Sequence, residues 1–221
     1  GDGRLLTEFA REPRVFVPIT AVPQRVIDAF IAAEDENFFI HPGVDPVAIF
    51  RAALTNLRNM SSDRRPVGAS TITQQVAQIF LLDKEVALSR KIREAILSLR
   101  IERALSKERI LELYLNEIYL GYGSYGVAAA ALNYFDKPLD ELTVAETAYL
   151  AALPKAPTNY HPIHRPEAAK ARRDWVIGRL LAEGYVNEVE AESAWATPFR
   201  VHPRTETEIF HAAYFAEEVR R

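Results

Sequence analysis

VIDAFIAAEDENFFIHPGVD, residues 26–45, is the stretch around which the chain is organised, and Glu34 lies near its centre. At about 100° per residue, Glu34 shares one helical face with apolar side chains. These are Val26, Ile27, Phe30, Ile31 and Phe38. Because a buried charge without a partner is costly, this carboxylate is paired, kept protonated, or placed at the edge of a cleft for chemistry. Periodicity alone leaves open a buried structural ion pair, since such networks perturb carboxylates as active sites do.

A sharp corner follows the helix and favours the cleft interpretation. His41, Pro42 and Gly43 interrupt the helical pattern. Asp45 before Pro46 is typical of an N-cap followed by proline at the first helical position. The glutamate therefore lies where a rigid helix meets a loop, a common place for catalytic groups. Partial burial raises the pKa of a carboxyl, as a general base acting near neutral pH requires.

The composition predicts a soluble globular fold with one sizeable core in 221 residues. The formal net charge of −3 gives no reason to expect a nucleic-acid partner. Cysteine is absent, which excludes disulfides and thiolate catalysis. No apolar run approaches the roughly 18 residues of a membrane-spanning helix, and no signal peptide is visible. Because the chain opens with Gly1 rather than methionine, we expect a piece of a longer protein.

Almost all of the remaining pattern is helical. Residues 4–20 carry prolines and predict an extended lead-in, and residues 60–66 are polar and basic and predict a mobile loop. Further helices are predicted over residues 46–59, 72–82, 88–105, 107–120, 127–134, 143–153, 166–183 and 187–195. Convincing alternating strands are scarce. The sequence therefore predicts a mainly α fold.

The segment GASTITQQVAQIFLL, residues 68–82, predicts a helix that opens with a capping box from Thr71 to Gln74. Gln74, Gln75 and Gln78 share one face of this helix. Three glutamines on one face are typical of a solvated surface, whereas a hydroxyl-rich helix start is typical of an anion site. Spacing leaves both interpretations open.

The helix predicted over residues 88–105 is the most basic in the chain. Its predicted buried stripe consists of Leu88, Ile92, Ala95, Ile96 and Leu99, and a different face carries Arg90, Lys91, Glu94 and Ser98. A surface pair between Arg90 and Glu94 runs in the weaker order along the helix and contributes only about 0.3 kcal/mol. The alternative is a carboxylate flanked by cations in a phosphate or metal site. Spacing does not decide between them.

Ser106 predicts the N-cap of the helix KERILELYLNEIYL, whose pattern ends at Gly121. Apolar residues cover most of its circumference, so we expect it to be central and buried. Asn116 within it must then find hydrogen-bond partners. The glycines and tyrosines of residues 121–126 form a loop that is too irregular for a nucleotide-binding fingerprint, because no strand precedes it.

Four stretches, in order, resemble the motifs of the family 51 peptidoglycan glycosyltransferases. They are EDENFFIHPGVD (Glu34 to Asp45), GASTITQQ (Gly68 to Gln75), RKIRE (Arg90 to Glu94) and KERILELYLNEIYLG (Lys107 to Gly121). The resemblance covers roughly residues 15–195. It implies a lysozyme-like, mainly α domain with a helical head lobe and a smaller, membrane-facing jaw lobe.

The resemblance also divides the chain. Residues 1–22 are expected to be a lead-in after a missing membrane anchor, and residues 23–195 the glycosyltransferase domain. Residues 196–221 are similar to the connection that, in class A penicillin-binding proteins, leads to a transpeptidase domain, which is missing here.

The implied reaction is the polymerisation of lipid II into β-1,4-linked glycan, with inversion and release of undecaprenyl pyrophosphate. Glu34 matches the base that takes the proton from the acceptor 4-hydroxyl. Glu94 matches the second family glutamate, near the donor pyrophosphate and in contact with a divalent ion. Arg90 and Lys91 would neutralise charge on the leaving group. The family implies a divalent cation, Mg²⁺ or Mn²⁺, and no organic cofactor.

Other matched positions are expected to line or support the pocket. The expected substrate-binding residues are Ser70, Thr71, Gln74, Gln75, Gln78, Arg90, Lys91 and Asn116. The residues expected to hold Glu34 in place are Asp35, Phe38, His41 and Gly43.

One position departs from the family pattern. Gln78 and Ile79 stand where the family usually has Lys-Asn, so a neutral amide replaces a cation normally aimed at the phosphates. We expect the enzyme to be slower, or to depend more on Mg²⁺ and on Arg90 and Lys91.

Two rival functions come from different classes. A lysozyme-like hydrolase requires one carboxylic acid and a second carboxylate that acts as nucleophile or activates water. Glu94 lies among cations in the sequence, and this pattern suits the departure of pyrophosphate better than the cleavage of glycan. A non-catalytic module that holds lipid II draws support only from Gln78, and both Glu34 and Glu94 argue against it.

The implied partners are lipid II, the growing glycan strand, a membrane surface and a covalently linked transpeptidase domain; the oligomeric state is left open. Residues 80–82 form an apolar cluster that is either core or a membrane-facing patch. With the basic grouping, this cluster predicts an anionic membrane surface as the working environment. The resemblance implies the periplasmic side of the bacterial inner membrane, with the anchor in an N-terminal segment not present here.

Overall fold

The structure is a computed structural model that describes residues 15–59, 68–80 and 88–201. Several predictions therefore lie outside the described residues. They concern the start of the lead-in, the loop over residues 60–66, the end of the apolar cluster at residues 81–82, and the tail beyond residue 201.

Within these ranges the chain forms nine α-helices and two short 3-10 helices. The α-helices are α1 (Gln24–Glu34), α2 (Pro46–Arg58), α3 (Ile72–Phe80), α4 (Leu88–Ala104), α5 (Lys107–Glu117), α6 (Val127–Phe135), α7 (Val144–Ala152), α8 (Pro166–Ala182) and α9 (Glu188–Ala196). The 3-10 helices are Ile19–Ala21 and Leu139–Glu141. The described ranges hold no β-sheet, only an isolated antiparallel bridge between Tyr119 and Tyr125. The predicted mainly α fold is confirmed, and none of the described helices is long and apolar enough to cross a membrane.

The chain divides into two compact units. One consists of Gly1–Ala33 together with Leu115–Arg221, and the other of Glu34–Tyr114. The boundaries between the units fall inside two helices. The first lies between Ala33 and Glu34 at the end of α1, and the second between Tyr114 and Leu115 in α5. The predicted domain boundaries after residues 22 and 195 remain predictions.

The first unit is built around α7, which is apolar on nearly all sides and therefore lies in the core. Thr143 begins this helix with a capping box: its hydroxyl accepts from the Glu146 N–H, and the Glu146 carboxylate accepts from the Thr143 N–H. α6, α8 and α9 pack against α7. The buried helix thus starts at a position fixed by its own polar cap.

Asn116 joins the lead-in to the rest of the first unit by hydrogen bonds. Its side chain accepts from the Val17 N–H at 2.7 Å and donates to the Val17 carbonyl at 2.8 Å, so its predicted need for partners is met by backbone. Gly126 lies against the same residue with φ 81°, and a Cβ there would stand 2.5 Å from the Asn116 carbonyl oxygen. This close approach requires glycine.

Two helices end earlier than predicted. α1 ends at Glu34. Phe38 lies in the turn that follows the helix, where its N–H donates to the Asp35 carbonyl at 3.0 Å, and its side chain is fully buried. α5 ends at Glu117 rather than at Gly121. The reason is a loop that closes on itself, with the N–H of residue 126 donating to the carbonyl of residue 118 at 2.9 Å.

In the second unit, α4 turns its polar face inward. The predicted buried stripe is wrong: Ile92, Ile96 and Leu99 are exposed, whereas Glu94 and Ser98 are fully buried. α3 packs against α4, and the buried Glu94 carboxylate is paired with Arg90 at Oε1 and with Lys91 and the Gln78 amide at Oε2. Specific polar partners therefore override the hydrophobic pattern here.

α2 presents most of its apolar side chains to solvent. The exposed residues are Val47, Ile49, Phe50, Leu54 and Leu57. Ala52 is the buried apolar residue of this helix. We call these five exposed side chains the α2 apolar surface, and exposed apolar side chains grouped on one element are typical of sites that contact a partner or a membrane.

Asp45 caps α2 as predicted. Its Oδ1 accepts from the N–H groups of Val47 and Ala48 at 2.8 and 2.9 Å, and Asn37 donates to Oδ2 at 2.9 Å. Burial acts to raise the pKa of Asp45, but these three hydrogen bonds outweigh it and hold the pKa below its usual value. Because the folded-state pKa is depressed, the carboxylate stabilises the fold above the unfolded pKa, and this contribution is lost as pH falls through the folded value.

We expect Asp45→Ala to lower the free energy of unfolding at pH 7 by about 1 kcal/mol, since it removes the N-cap. Asp45→Asn is the matched variant because it can keep the cap and removes the charge. The difference in stability between the parent and Asp45→Asn should shrink from pH 7 to pH 3 in urea unfolding. A difference that grows as the pH falls would contradict this account.

Candidate active site

Glu34 is the last residue of α1 and is half-buried, with its carboxylate held by an amide from α3. Gln75 Nε2 donates to Glu34 Oε2 at 2.8 Å. The hydroxyl of Tyr114, on α5, lies 3.4 Å from Gln75 Oε1. Glu34 is thus positioned by a neutral donor and keeps part of its surface open, as a group that exchanges protons with a substrate requires.

The neighbouring carboxylate, Asp35, is buried and joins the corner to α3. Both of its oxygens lie 2.9 Å from His41 Nε2, and Oδ2 also accepts from the Ile72 N–H at 2.9 Å. His41 Nδ1 accepts from the Gly43 N–H at 3.0 Å, so the proton of a neutral ring must be on Nε2, facing Asp35. The ring orientation and tautomer are therefore set by the fold.

This arrangement answers the question of an anion at the start of α3. The anion at this helix start is the Asp35 carboxylate of the protein itself, which accepts a hydrogen bond from the first N–H of the helix. The predicted capping box is present, with the Gln74 side chain accepting from the Thr71 N–H at 2.9 Å and the Thr71 hydroxyl accepting from the Gln74 N–H at 3.1 Å. Gln74 is consequently buried, and the solvated-face interpretation fails for it.

Gly43 is required at the corner. Its φ is 103°, and a Cβ would lie 2.9 Å from the Ser98 carbonyl oxygen. The Thr71 hydroxyl donates to the Gly43 carbonyl at 2.6 Å. The corner is thus held against α3 and α4 by backbone contacts that a side chain would break.

Lys107 supports the same corner, and the sequence reasoning did not assign it. Its Nζ donates to the His41 carbonyl and to Glu102 Oε1, each at 2.7 Å, and lies 4.6 Å from the centre of the buried Phe38 ring. Thr73 also donates to Glu102, at 2.6 Å. A signal was available: a lysine in the first turn of a helix opposes the helix dipole and needs another reason to be there.

Glu94 forms the second cluster of the unit and is fully buried. Arg90 Nε lies 3.1 Å from Oε1, and Lys91 Nζ lies 2.8 Å from Oε2. Gln78 Nε2 donates to Oε2 at 3.0 Å. The interpretation as a surface pair is therefore wrong, because the Glu94 carboxylate is fully buried, whereas the two cationic side chains remain partly exposed to solvent.

Ser70 lies beside this cluster, since the Lys91 ammonium donates to its hydroxyl at 3.2 Å. Of the expected substrate-binding residues, those from position 70 to 91 thus fall in the second unit with Glu34 and Glu94. Asn116 belongs to the first unit and bonds to the backbone of Val17. We assign it to the framework.

Comparison with known proteins identifies a family for the chain. The family described as Transglycosylase matches residues 2–181. The chain belongs to the transglycosylase family. The resemblance to family 51 peptidoglycan glycosyltransferases is thereby confirmed.

The relatives of this transglycosylase are much longer proteins. Penicillin-binding protein 1A of Rickettsia felis is 53% identical over 219 residues, which is 99% of this chain and 28% of the relative. Penicillin-binding protein 1A of Escherichia coli K12 is 44% identical over 220 residues, all of this chain and 26% of the relative. The crystal structure of penicillin-binding protein 1A from Haemophilus influenzae matches with a TM-score of 0.52 and 29% identity, covering 95% of this chain and 21% of that one. The transglycosylase chain thus spans about a quarter of its relatives' length.

A resident divalent ion does not fit the residues of this transglycosylase as they are arranged. Mg²⁺ is usually bound by one or two carboxylates together with substrate phosphates. Both oxygens of Glu94 already contact Arg90, Lys91 or Gln78. The described ranges contain no group of three acidic, histidine or cysteine side chains suited to a metal.

Proposed function

We propose that this chain is a peptidoglycan glycosyltransferase that polymerises lipid II into β-1,4 glycan strands with inversion and releases undecaprenyl pyrophosphate. The observation that carries the proposal is the contrast between two carboxylates in one unit. Glu34 is half-open and held by a neutral amide, while Glu94 is fully buried between two cations. The first arrangement suits a base, and the second suits the recognition of a negatively charged leaving group.

In the proposed step, Glu34 removes the proton from the 4-hydroxyl of the acceptor sugar. The resulting oxygen nucleophile attacks the anomeric carbon of the donor, and the bond from that carbon to the pyrophosphate oxygen breaks. The electron pair of the broken bond leaves with the pyrophosphate, and the proton remains on Glu34 until solvent takes it. Because one displacement occurs, the anomeric configuration inverts.

Arg90 and Lys91 would stabilise the charge that gathers on the leaving pyrophosphate. Each keeps part of its side chain in solvent while its other contacts fix it against Glu94. Cations held in this way require little reorganisation when charge develops. Glu94 thus acts as the anchor for two cations rather than as a second catalytic acid.

The same contrast disfavours glycan hydrolysis. An inverting or retaining hydrolase needs a second carboxylate that activates water or attacks the sugar. Glu94 is fully buried and neutralised by Arg90 and Lys91, which leaves it poorly suited to either task.

We expect Glu34→Gln to reduce polymerisation of labelled lipid II by about 10²- to 10⁴-fold, the usual contribution of a general base. Glu36→Gln is the matched control, because Glu36 lies two positions away and pairs with Arg51 at 2.6 Å. Each protein is assayed with Mg²⁺ and with a chelator, which tests the expected divalent ion.

Polymer made by Glu34→Gln at the parent rate would remove Glu34 as the base. A parent that binds lipid II without making polymer would instead support the non-catalytic module. Equal rates with Mg²⁺ and with a chelator would show that the reaction needs no divalent ion, in agreement with the occupied oxygens of Glu94.

Gln78→Lys should raise turnover, because it places a cation where the Gln78 amide now donates to Glu94 Oε2 at 3.0 Å. Gln78→Met, which keeps the length without the charge, serves as the control and should not accelerate the reaction. Unchanged kinetics in the lysine variant would count against a role for this position at the phosphates.

The proposed partners are lipid II, the growing glycan strand and a membrane surface, with a transpeptidase domain linked in the longer protein. We place the chain on the periplasmic side of the bacterial inner membrane, anchored by an N-terminal segment. The support from the structure is the α2 apolar surface, together with exposed Phe39 and Ile40 nearby in the sequence. Phe80 is also exposed, so of the two interpretations of its cluster the structure favours a surface patch over core at that residue.

Phe50→Ser combined with Leu57→Ser should weaken binding to vesicles containing anionic lipid by at least about tenfold, since burial of each side chain contributes about 1.5–3 kcal/mol. Ile163→Ser combined with Val189→Ser is the control, because both residues are exposed apolar positions of the other unit. Undiminished binding by a folded Phe50/Leu57 variant in vesicle sedimentation would exclude the α2 apolar surface as the membrane contact.

A further inference from the structure

Tyr114 is a buried polar residue to which the proposed reaction assigns no role. It lies on α5 and is fully buried, and its hydroxyl is 3.4 Å from Gln75 Oε1. The other end of the same amide donates to Glu34 at 2.8 Å. A line of three side chains therefore connects the interior of the unit to the half-open carboxylate.

The amide in the middle can face either way. With Nε2 toward Glu34 it donates a hydrogen bond to the carboxylate; turned over, it would place its oxygen against a negative charge. Both neighbours favour the first orientation, because the carboxylate accepts from Nε2 at 2.8 Å and the Tyr114 phenol, 3.4 Å from Oε1, can donate its proton to an amide oxygen but not to an amide nitrogen.

Tyr114 remains a donor over the whole working range of pH. Burial raises its pKa well above the ordinary value of a tyrosine, and the charges of Glu34 and Asp35 raise it further. The phenol therefore keeps its proton wherever the carboxylates are ionised.

We propose that Tyr114 is a positioning residue for Glu34 and acts through Gln75, whose amide it orients. The inference rests on the proposed function only where turnover is the readout, because the orientation itself is a property of the free protein. Gln75, expected from the sequence to line the substrate pocket, then also serves the base directly.

Loss of the phenol hydroxyl removes the partner of Gln75 Oε1, so the amide is held toward Glu34 by one of these contacts instead of two. The Gln75 donor is then less firmly fixed against the carboxylate, and because a weaker donor stabilises the charged form less, protonation of Glu34 becomes easier. The acidic limb of the pH–rate profile should move to higher pH, and kcat should fall while KM for lipid II stays close to that of the parent.

The test compares Tyr114→Phe with Tyr134→Phe. Tyr134 is a suitable control, because it is also buried, lies in the other unit, and loses a shorter hydrogen bond, to the Leu120 carbonyl at 2.9 Å in the parent. Tyr114→Phe should move the acidic limb upward by up to about one pH unit, the shift expected when the Gln75 hydrogen bond to the charged carboxylate is lost entirely. Tyr134→Phe should leave the limb in place. The same profile in both variants would overturn the proposal.

A second pair of variants tests the route through the amide. Gln75→Leu removes the donor and should produce the same upward shift on its own, which keeps the proposal testable if Tyr114→Phe does not fold. In the Gln75→Leu background, Tyr114→Phe should add nothing further, whereas independent roles would give additive shifts. Additive shifts would show that Tyr114 does not act through Gln75.

The carboxyl titration of Glu34 in the free protein separates this inference from the proposed reaction. Carbon-detected NMR of glutamate-labelled protein, assigned with Glu34→Gln, should show a higher midpoint in Tyr114→Phe than in the parent. This result would stand even if the parent made no polymer. An unchanged midpoint would overturn the positioning role, whatever the activity.

Discussion

The hydrogen bonds that Asp35 accepts are the interactions on which the rest of the site depends. The carboxylate accepts hydrogen bonds from the His41 ring N–H and from the first N–H of α3, so one buried charge joins the end of α1, the corner and the start of α3. A buried carboxylate is tolerated only when such donors satisfy it. With Asp35 held, Glu34 has little freedom in where its backbone can lie, and the amide of Gln75 can reach it from α3.

Two glutamates of the same unit are treated in opposite ways by their surroundings. Glu34 keeps part of its surface open and receives a neutral amide, whereas Glu94 is fully buried and surrounded by Arg90, Lys91 and an amide. Identical side chains are thereby suited to different tasks, one to proton transfer and the other to holding cations in place. Gln78 contributes a neutral amide to this second cluster, beside the two cations and the carboxylate.

The second unit also departs from the usual separation of apolar core and polar surface. α4 buries Glu94 and Ser98 and exposes Ile92 and Ile96, and α2 exposes most of its large apolar side chains. Polar groups can occupy the interior because hydrogen bonds and ion pairs satisfy them. Apolar groups on the outside have no such compensation in water, which is the physical reason for proposing a lipid surface as their environment.

The sequence by itself determined the helical class, the cap at Asp45, the capping box at Thr71 and the family, because these depend on local spacing and on short motifs. It also singled out Glu34 and Glu94. Only the tertiary structure decided that α1 stops at Glu34, that the polar face of α4 lies inside, and that Lys107 supports the corner. These features depend on partners distant in the chain: the Asp35 carboxylate meets α3, and Glu94 meets Gln78, and their hydrogen bonds outweigh the local hydrophobic pattern.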